Sequence, residues 1–335
     1  MWFAVVSSKE VSTEPLGAVR LGKEIVFWRD KNGKVNALQD VCVHRRAKLS
    51  AGEVIDGRIR CPFHGFEYDG TGRVRIIPAL GKSHEVEQRF AVESYKVYEK
   101  AGMVWLWVGE EDPQGEPRFF DDIDENFVYA EFKELWSVPY PRAVENQLDV
   151  MHLPFVHRTT IGRGNRTLVH GPVVKWIDED EFFFYVFNEV DVGQRVKRPE
   201  ELNLDRSRVY LEFIFPNTWQ NHITKDIRVV AFFAPVDRER TMIYLRFYVG
   251  VTKIKPLDKL IAALGMTFNR KVLHQDKRVV ETQKHDIRKD VLVQGDLPIM
   301  EFRKRLFREK RILEFLYENP FIVREGDDCG KVQYS

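Results

Sequence analysis

The sequence predicts an α+β protein with two domains: an N-terminal all-β domain over residues 1–112, and a C-terminal domain over residues 113–335 in which helices flank an antiparallel sheet. Two observations indicate this fold class. The first third of the chain consists of short β-prone runs separated by Gly, Asp and Asn turns. The remainder mixes longer, aromatic β-prone runs with helical patterns. A length of 335 residues is sufficient for two domains of ordinary size.

The N-terminal domain is predicted from its strands. Residues 1–6 are apolar but lack a basic leader and a long apolar core, so we expect a first strand and not a signal peptide. The other strand candidates are residues 24–28, 35–38, 73–77 and 104–108, with turns at 30–34 and 69–72. Residues 109–117 are charged and contain Gly and Pro, which is typical of a linker.

The C-terminal domain is predicted from four strands and three helices. The β-prone runs are residues 182–187, 209–215, 229–233 and 242–248. The helical patterns lie around 142–153, from Pro256 to about Lys284, and around 298–317. Several long strands flanked by helices indicate an antiparallel sheet with helical cover.

Composition limits the function classes. Lys and Arg total 52 against 51 Asp and Glu, a balance that does not indicate nucleic acid or an anionic membrane as partner. No segment approaches the ~20 apolar residues of a membrane span. The three cysteines, Cys42, Cys61 and Cys329, are too few for a disulfide framework and fit a reducing compartment. We therefore expect a cytoplasmic protein without a membrane span.

The first metal-site candidate combines one Cys and one His on each of two loops. Cys42 and His44 are followed, after sixteen residues, by Cys61 and His64. A Rieske [2Fe–2S] cluster needs this set, since two thiolates hold one iron and two imidazoles hold the other. The alternative is a structural zinc site, but zinc fingers pair Cys with Cys and His with His. The mixed spacing favours the iron–sulfur cluster.

The second candidate lies at residues 146–157. On a helix, Asn146, Asp149 and His152 fall at i, i+3 and i+6, which places them on one face. Pro154 should then disturb the helix, so that His157 can return toward His152. Two histidines with a third position open suggest the 2-His-1-carboxylate site of O2-activating Fe(II) enzymes. A pair of core histidines is the plainer interpretation of His-x4-His on its own.

The carboxylate is predicted from helix periodicity. In the long helix an apolar stripe runs through residues 257, 260, 261, 264, 268 and 272 and continues to Asp276 and Val279 or Val280. A carboxylate on a buried stripe is costly, and a metal would satisfy it. We choose Asp276 as the ligand and keep Glu281, which lies off the stripe, as the alternative. Asp286 falls further along, near the end of the helix.

These motifs resemble the Rieske non-haem iron oxygenases, and in particular the shorter, monooxygenase-type alpha subunits of the ring-hydroxylating oxygenase family. The runs CVHR at 42–45 and CPFHGF at 61–66 are similar to the family's Rieske motif, with Phe63 and Phe66 where members commonly carry Tyr and Trp. Residues 146–157 are similar to its mononuclear-iron motif, 275–283 to its third-ligand segment, and 296–303 to its C-terminal part. The resemblance covers nearly the whole chain.

The resemblance implies a terminal oxygenase with two cofactors. Cys42, His44, Cys61 and His64 would hold the [2Fe–2S] cluster, and His152, His157 and Asp276 the mononuclear Fe(II). Family members of this length form head-to-tail homotrimers, in which Asp149 would link His152 to His64 of the neighbouring subunit. Asp149 and Asn146 are the candidate catalytic residues. The implied reaction is O2-dependent hydroxylation, O- or N-demethylation, or dihydroxylation of a small aromatic or cyclic substrate.

Electrons must come from another protein. The chain has no Gly-x-Gly-x-x-Gly fingerprint and too few cysteines for a second cluster, so an NAD(P)H-dependent reductase or a ferredoxin should supply them. The basic segment 303–311 is either a docking site for an acidic ferredoxin or a solvated helix. An alternative function for the whole chain is electron transfer, with a non-catalytic ligand-binding domain. Cys329 and the histidines 84, 170, 222, 274 and 285 show no ligand pairing.

Overall fold

The computed structural model describes residues 1–162, 164–202 and 210–316. In this part of the chain the strands are β1 (Trp2–Ser7), β2 (Leu16–Arg20), β3 (Lys23–Arg29), β4 (Val35–Gln39), β5 (Glu53–Ile55), β6 (Arg58–Arg60), β7 (Glu67–Tyr68), β8 (Val74–Ile76), β9 (Val97–Lys100), β10 (Met103–Trp107), β11 (Val128–Trp136), β12 (Leu168–Trp176), β13 (Glu181–Glu189), β14 (Leu211–Ile214), β15 (Thr218–Thr224), β16 (Ile227–Pro235) and β17 (Thr241–Val249). The helices are α1 (Tyr140–Leu148), α2 (Leu153–Val156), α3 (Lys255–Val280), α4 (Leu297–Leu306) and α5 (Lys310–Leu316).

The first compact unit comprises residues 1–119 with 234–237 and is built from small antiparallel sheets. Their strand orders are β1-β10-β9, β2-β3-β4 and β5-β6-β7-β8. A buried apolar cluster joins strands of the last two sheets through residues such as Trp28, Leu38 and Tyr68. Cys42 and Cys61 belong to the same cluster, so the loops that carry them are anchored in the core.

The second unit contains residues 120–233 and those from 238 onward. Its centre is a seven-stranded sheet of order β11-β17-β16-β15-β14-β13-β12. Helix α3 packs against β11 and β17, and α4 against β12. The predicted α+β class is thereby confirmed, whereas the domain limit at residue 112 stays a prediction.

Strands β11, β12 and β15 were not predicted, because their sequences interrupt apolar residues with charged or polar ones. Lys133, Glu131 and Glu134 lie in β11, and His170 and Lys175 in β12. A strand with one polar face gives a weaker signal than the aromatic runs. The predicted run 209–215 begins outside the described residues and is observed as β14.

The predicted apolar stripe of α3 was wrong, although Asp276 does face inward. Leu257, Leu260, Leu264 and Phe268 are exposed, and the buried side chains are those of Asp258, Ala262, Met266, Leu273, Asp276 and Val280. Each step of four residues advances about 40° around a helix, so the stripe drifts over its length. Asp276 lies sixteen residues after Leu260, or about 160° around the helix.

None of the helices in the described ranges is long and apolar enough to cross a membrane.

Candidate metal centres and substrate cavity

The four cluster residues lie on two loops of the first unit. Cys42 and His44 follow β4, and Cys61 and His64 lie between β6 and β7. Both cysteines are buried and free of a disulfide, whereas both histidines are exposed. The two imidazole rings are 4.6 Å apart between centroids. Two buried thiols beneath two adjacent surface imidazoles fit a cluster with a thiolate-held inner iron and an imidazole-held outer iron.

Local packing fixes both loops. Gly65 has φ +74°, and a Cβ there would lie 2.9 Å from Pro78 Cγ, so this turn requires glycine. The Gly65 N–H donates to the Cys61 carbonyl at 3.1 Å. The Phe66 ring stacks on His44 with centroids 4.9 Å apart and planes 4° from parallel. An apolar ring at residue 66 therefore supports an imidazole of the candidate cluster.

Tyr68 was not singled out in the sequence, yet it contacts the candidate cluster loops. Its buried hydroxyl donates to Cys42 Sγ at 3.1 Å and accepts from the Val43 N–H at 3.0 Å. Burial, with the neighbouring Cys42 sulfur, raises the pKa of Tyr68 well above its ordinary value. The hydroxyl therefore stays protonated and remains a donor to sulfur.

Replacing Tyr68 with phenylalanine should lower the reduction potential of the cluster. A hydrogen bond withdraws electron density from a ligand sulfur and favours the reduced cluster, and Tyr68→Phe removes only that bond. The measurement is a spectroscopic redox titration. Tyr95→Phe is the matched control, because the Tyr95 hydroxyl bonds Glu93 at 2.9 Å. Equal potentials in wild type and Tyr68→Phe would contradict the assigned donor.

The second constellation brings together three side chains from separate segments. His152 precedes α2, His157 ends it, and Asp276 lies in the last turns of α3. Asp276 Oδ1 is 2.8 Å from His157 Nε2 and 3.5 Å from His152 Nε2. These three ligand atoms lie within 4.8 Å of one another, so they can share one cation.

The hydrogen bonding at these residues fits a metal. Asp276 Oδ1 is buried without a hydrogen bond, although His157 Nε2 lies only 2.8 Å away. His157 Nδ1 contacts Gln275 Oε1 at 2.9 Å, a bond that leaves Nε2 free to bind a cation. Burial lowers the pKa of His157, but the Asp276 carboxylate outweighs it and the pKa is raised. A buried, unsatisfied carboxylate next to a free imidazole nitrogen needs a positive partner.

The helix predicted over residues 142–153 ends earlier, so one part of the sequence argument was wrong. Helix α1 stops at Leu148, and Asp149 is extended with ψ 123°. Pro154 is not in mid-helix but in the first turn of α2, where proline is tolerated. The two histidines are therefore brought together by a break and a new short helix, not by one continuous face.

Asp149 and Asn146 lie beside this constellation. Asp149 Oδ1 accepts the backbone N–H groups of Met151 and His152 at 2.7 and 3.2 Å. Its Oδ2 is 3.7 Å from His152 Nδ1, which is longer than a hydrogen bond, and Nδ1 has no other partner. Burial raises the pKa of Asp149, but His152 and the two N–H groups outweigh it and lower the pKa. Asn146 Nδ2 is buried and unpaired.

The other carboxylates considered lie elsewhere. Glu281 follows the last turn of α3 and accepts the Ser137 N–H at 2.8 Å. Asp286 caps a short 3-10 helix through the Arg288 N–H and pairs with the Arg288 side chain. Neither belongs to a group of residues that converges on His152 and His157 in the described parts of the chain. Cys329 lies outside the described residues.

A cavity of about 1250 Å³ opens onto His152, His157 and Asp276. Its wall comes mainly from the seven-stranded sheet and α3, and includes Leu245, Phe247 and Val272. A Cβ on Gly265 would lie 2.2 Å from a Phe247 ring carbon, so this glycine lets the ring lie against α3. The volume exceeds the ~300–1,000 Å³ of ordinary small-molecule pockets.

Besides those at His152 and Asp276, two polar atoms of the residues that line this cavity have no hydrogen-bond partner. Trp219 Nε1, on a side chain 5% exposed, and Asn221 Oδ1 are both buried without a hydrogen bond. The two residues lie on one face of β15, because side chains two apart in a strand point the same way. The wall thus offers one donor and one acceptor to whatever fills it.

A second cluster of possible ligands, also missed from the sequence, lies at Asp122, Glu212 and His222. Here both carboxylates already accept hydrogen bonds. The Arg228 guanidinium donates to Asp122 at 3.1 Å, and Gln220 Nε2 is 2.9 Å from Glu212. His222 therefore has acidic neighbours that spacing could not reveal, in a network that differs from the unsatisfied one at Asp276.

The basic segment 303–311 does not form one exposed surface. Arg303 is buried and donates to Glu145 and Asp290 at 2.7 and 2.6 Å. Arg305 pairs with Asp180 at 2.8 Å. Helix α4 ends at Leu306, so a single helix over 298–317 was also wrong. Much of the positive charge that we considered for docking a ferredoxin is therefore paired with carboxylates of this chain.

Comparison with known proteins identifies both halves of the chain. Residues 1–96 match the family model of the Rieske [2Fe-2S] domain. Residues 136–309, slightly more than half of the chain, match the vanillate O-demethylase oxygenase C-terminal domain. Both matched ranges contain the corresponding candidate metal centre.

Individual relatives are more distant. The chain is 28% identical over 311 residues to the chloroplastic protein TIC 55 of Arabidopsis thaliana, which covers 88% of this chain and 55% of that protein. It is 29% identical over 183 residues to the vanillate O-demethylase oxygenase subunit of a Pseudomonas species, covering 53% and 50%. The chain therefore spans about half the length of the curated relatives it matches.

Among solved structures, Pseudomonas putida NdmA superposes with a TM-score of 0.73 at 22% identity, covering 96% of this chain and 93% of that one. Dicamba monooxygenase bound to dicamba gives a TM-score of 0.72 at 20% identity, covering 94% and 97%. At this identity the likeness shows the fold.

Proposed function

Since the chain belongs to the Rieske non-haem iron oxygenase family, with a vanillate O-demethylase-type C-terminal domain, we propose that it is the terminal oxygenase of a multicomponent system. The reaction is O2-dependent hydroxylation, or O- or N-demethylation, of an aromatic or cyclic substrate. One observation carries the proposal: His152, His157 and Asp276 converge at a large cavity, with an unsatisfied carboxylate oxygen between them.

The family's cofactors are a Rieske [2Fe–2S] cluster and a mononuclear iron. Cys42, His44, Cys61 and His64 would hold the cluster, which supplies single electrons. His152, His157 and Asp276 would hold the iron, which supplies O2 activation. Around these ligands, Gln275 keeps His157 in the tautomer that presents Nε2. The apolar cavity wall excludes water from the reacting carbon.

The cavity also limits the substrate. Its apolar wall favours a hydrophobic ring system, and its volume accommodates more than a single small ring. Trp219 Nε1 and Asn221 Oδ1 would bind a substrate group that both accepts and donates a hydrogen bond, such as an amide, a carboxylic acid or a hydroxyl-bearing ring.

We expect Asn221→Leu to raise KM by about tenfold or more for a substrate with such a group, because one unmade buried hydrogen bond costs ~1–3 kcal/mol. For an analogue lacking the group, the variant should bind as well as wild type or better. Steady-state O2 uptake with both compounds measures this. The matched control is Asn269→Leu, since the Asn269 amide at the same cavity already bonds the Gly265 carbonyl at 2.9 Å. Identical KM values in Asn221→Leu and wild type would remove Asn221 from substrate binding.

Iron content and turnover distinguish the proposed oxygenase from the alternative function, an electron-transfer protein. Purified, anaerobically reconstituted protein should be brown, show a Rieske EPR spectrum when reduced, and hold three irons per chain. An electron-transfer protein with a non-catalytic domain would hold two. Screening aromatic, methoxylated and N-methylated compounds for substrate-dependent O2 uptake then identifies the substrate. A colourless protein that binds only zinc would refute the proposal, and three irons without any O2 uptake would refute the oxygenase activity.

The proposed partners are an NAD(P)H-dependent reductase, alone or with a ferredoxin, and two further copies of this chain. In a head-to-tail trimer Asp149 would link His152 to His64 of the neighbouring subunit. The proposed location is cytoplasmic, because three cysteines are too few for a disulfide framework and fit a reducing compartment. The exposed positions of His44 and His64 support electron exchange with another chain or subunit at that surface.

A further inference from the structure

Helix α3 carries a row of exposed apolar side chains along its first half. Leu257, Leu260, Leu264 and Phe268 recur every three or four residues and are 44–67% exposed, and Ile254 just before the helix is 59% exposed. Such spacing places them in one stripe on the helix surface. Scattered exposed apolar residues need no explanation, but a contiguous stripe marks an interaction site.

The exposed charges on this stretch of the chain have one sign. From Val251 to His274 the basic residues are Lys253, Lys255, Lys259, Arg270 and Lys271, all exposed. The single carboxylate in that stretch, Asp258, is buried and caps the helix start through the Thr252 N–H at 3.0 Å. The four lysines form no ion pair with the described residues. The near-neutral balance of the whole chain conceals this local excess of positive charge.

A basic groove lies beside the stripe. It has a volume of about 760 Å³ and is lined by Arg158, Arg270, Lys271 and Arg278, without a carboxylate. Its basic side chains suit a phosphate-bearing headgroup, since Arg and Lys are the usual phosphate-binding side chains. An apolar stripe next to a cationic groove matches the layered chemistry of a lipid surface, with acyl chains below and anionic headgroups above.

The same charges argue against a two-fold symmetric contact with a second copy of this chain, and the experiment below separates a head-to-tail contact between copies from membrane docking. Packing α3 against α3 would bring lysines of both copies together, with no exposed carboxylate on this helix stretch to pair with them. The stripe is also continuous with the cavity, because Phe268 belongs to the stripe and lines the cavity wall.

We propose that the exposed face of α3 and the adjoining basic groove dock the protein on an anionic phospholipid membrane surface. The leucines insert among the acyl chains, and the lysines and arginines contact the headgroups. The cavity wall at Phe268 then faces the lipid, so an apolar substrate can enter from it. The docking itself does not depend on the proposed oxygenase activity.

The test is co-sedimentation of the iron-loaded protein with vesicles of phosphatidylcholine alone or mixed with phosphatidylglycerol. Wild type should bind the mixed vesicles, bind the neutral ones more weakly, and be released by salt. We expect Leu260→Gln/Leu264→Gln to lower the partition coefficient by about tenfold or more, because less apolar area is buried. Lys259→Glu/Lys271→Glu should lower it by at least tenfold on mixed vesicles, since each basic residue near the surface contributes about 1 kcal/mol.

Matched controls change exposed residues off this face. Val291→Gln replaces a side chain that is 89% exposed, and Lys175→Glu reverses an exposed charge on β12, at the opposite end of the sheet from the strands that α3 packs against. Both should bind like wild type, and an unchanged far-UV circular dichroism spectrum and unfolding temperature in every variant show that the fold is kept. Wild type that fails to bind mixed vesicles overturns the proposal. Binding that survives both double substitutions overturns it as well. So does protein that self-associates without vesicles through the two leucines, since the occupant is then a second copy.

Discussion

Asp276→Ala should abolish mononuclear iron binding and all substrate-dependent O2 uptake while leaving the Rieske EPR signal intact. Among the described residues, Asp276 supplies the one carboxylate oxygen that approaches both imidazoles, at 2.8 and 3.5 Å, and that oxygen has no hydrogen bond to lose. Removing this carboxylate leaves only two neutral imidazole nitrogens to bind the metal. Since altering a residue behind a ligand already weakens metal binding by ~10–100-fold, removing a ligand should weaken it by more than about 100-fold.

Iron content, determined beside EPR on the same sample, measures this result. Glu281→Ala is the matched control, because Glu281 lies five residues further along and bonds the Ser137 N–H instead. It should keep three irons per chain. If Glu281→Ala loses an iron and Asp276→Ala keeps all three, the third ligand has been assigned to the wrong carboxylate.

Asp149→Asn should keep both metal centres but lower the turnover rate by about 100-fold, because electron delivery between the centres fails. The Asn Oδ1 can still accept the N–H groups of Met151 and His152, so the backbone here is preserved. At the other oxygen an amide NH2 replaces the carboxylate. When His152 binds a metal through Nε2, its Nδ1 carries a proton. The NH2 group introduced by Asp149→Asn would repel that N–H, because both groups are hydrogen-bond donors.

A single-turnover experiment distinguishes a role of Asp149 in electron transfer from a purely structural role. Pre-reduced protein is mixed with substrate and O2, and oxidation of the Rieske cluster is followed by absorbance. Slow oxidation in Asp149→Asn with three irons retained supports the coupling role. Oxidation at the wild-type rate would show that Asp149 only caps the chain before α2. Asp286→Asn is the control, since Asp286 caps a different short helix through the Arg288 N–H.

The candidate Rieske loops were predictable because both ligands of each pair are close in sequence. Cys42 with His44 and Cys61 with His64 need only two short loops, and the mixed Cys/His spacing is specific. The supporting contacts were not predictable. Tyr68 reaches Cys42 Sγ across 26 residues, and nothing in its local sequence distinguishes it from an ordinary core tyrosine.

The inward orientation of Asp276 was predicted through a wrong intermediate step, and its role as a metal ligand stays a prediction. Most of the apolar stripe assigned to the core is exposed, and the inward face of the helix is a different one. Hydrophobic periodicity gives the spacing of a stripe but not which face of the helix meets the sheet, because an apolar face can also meet a partner. Only the packing of α3 on β11 and β17 decides this.

The sequence by itself determined the α+β class, the order of the two candidate metal motifs, and the residue types able to bind iron. These depend on short-range patterns, that is, on strand and helix periodicity and on ligand spacing within a loop. The tertiary structure decided which side chains meet. The break of the chain at Asp149, the inward face of α3, and the unpaired Trp219 and Asn221 in the cavity wall all arise from contacts between distant segments. Such contacts follow from how elements pack around a shared core, and a local pattern holds no information about that packing.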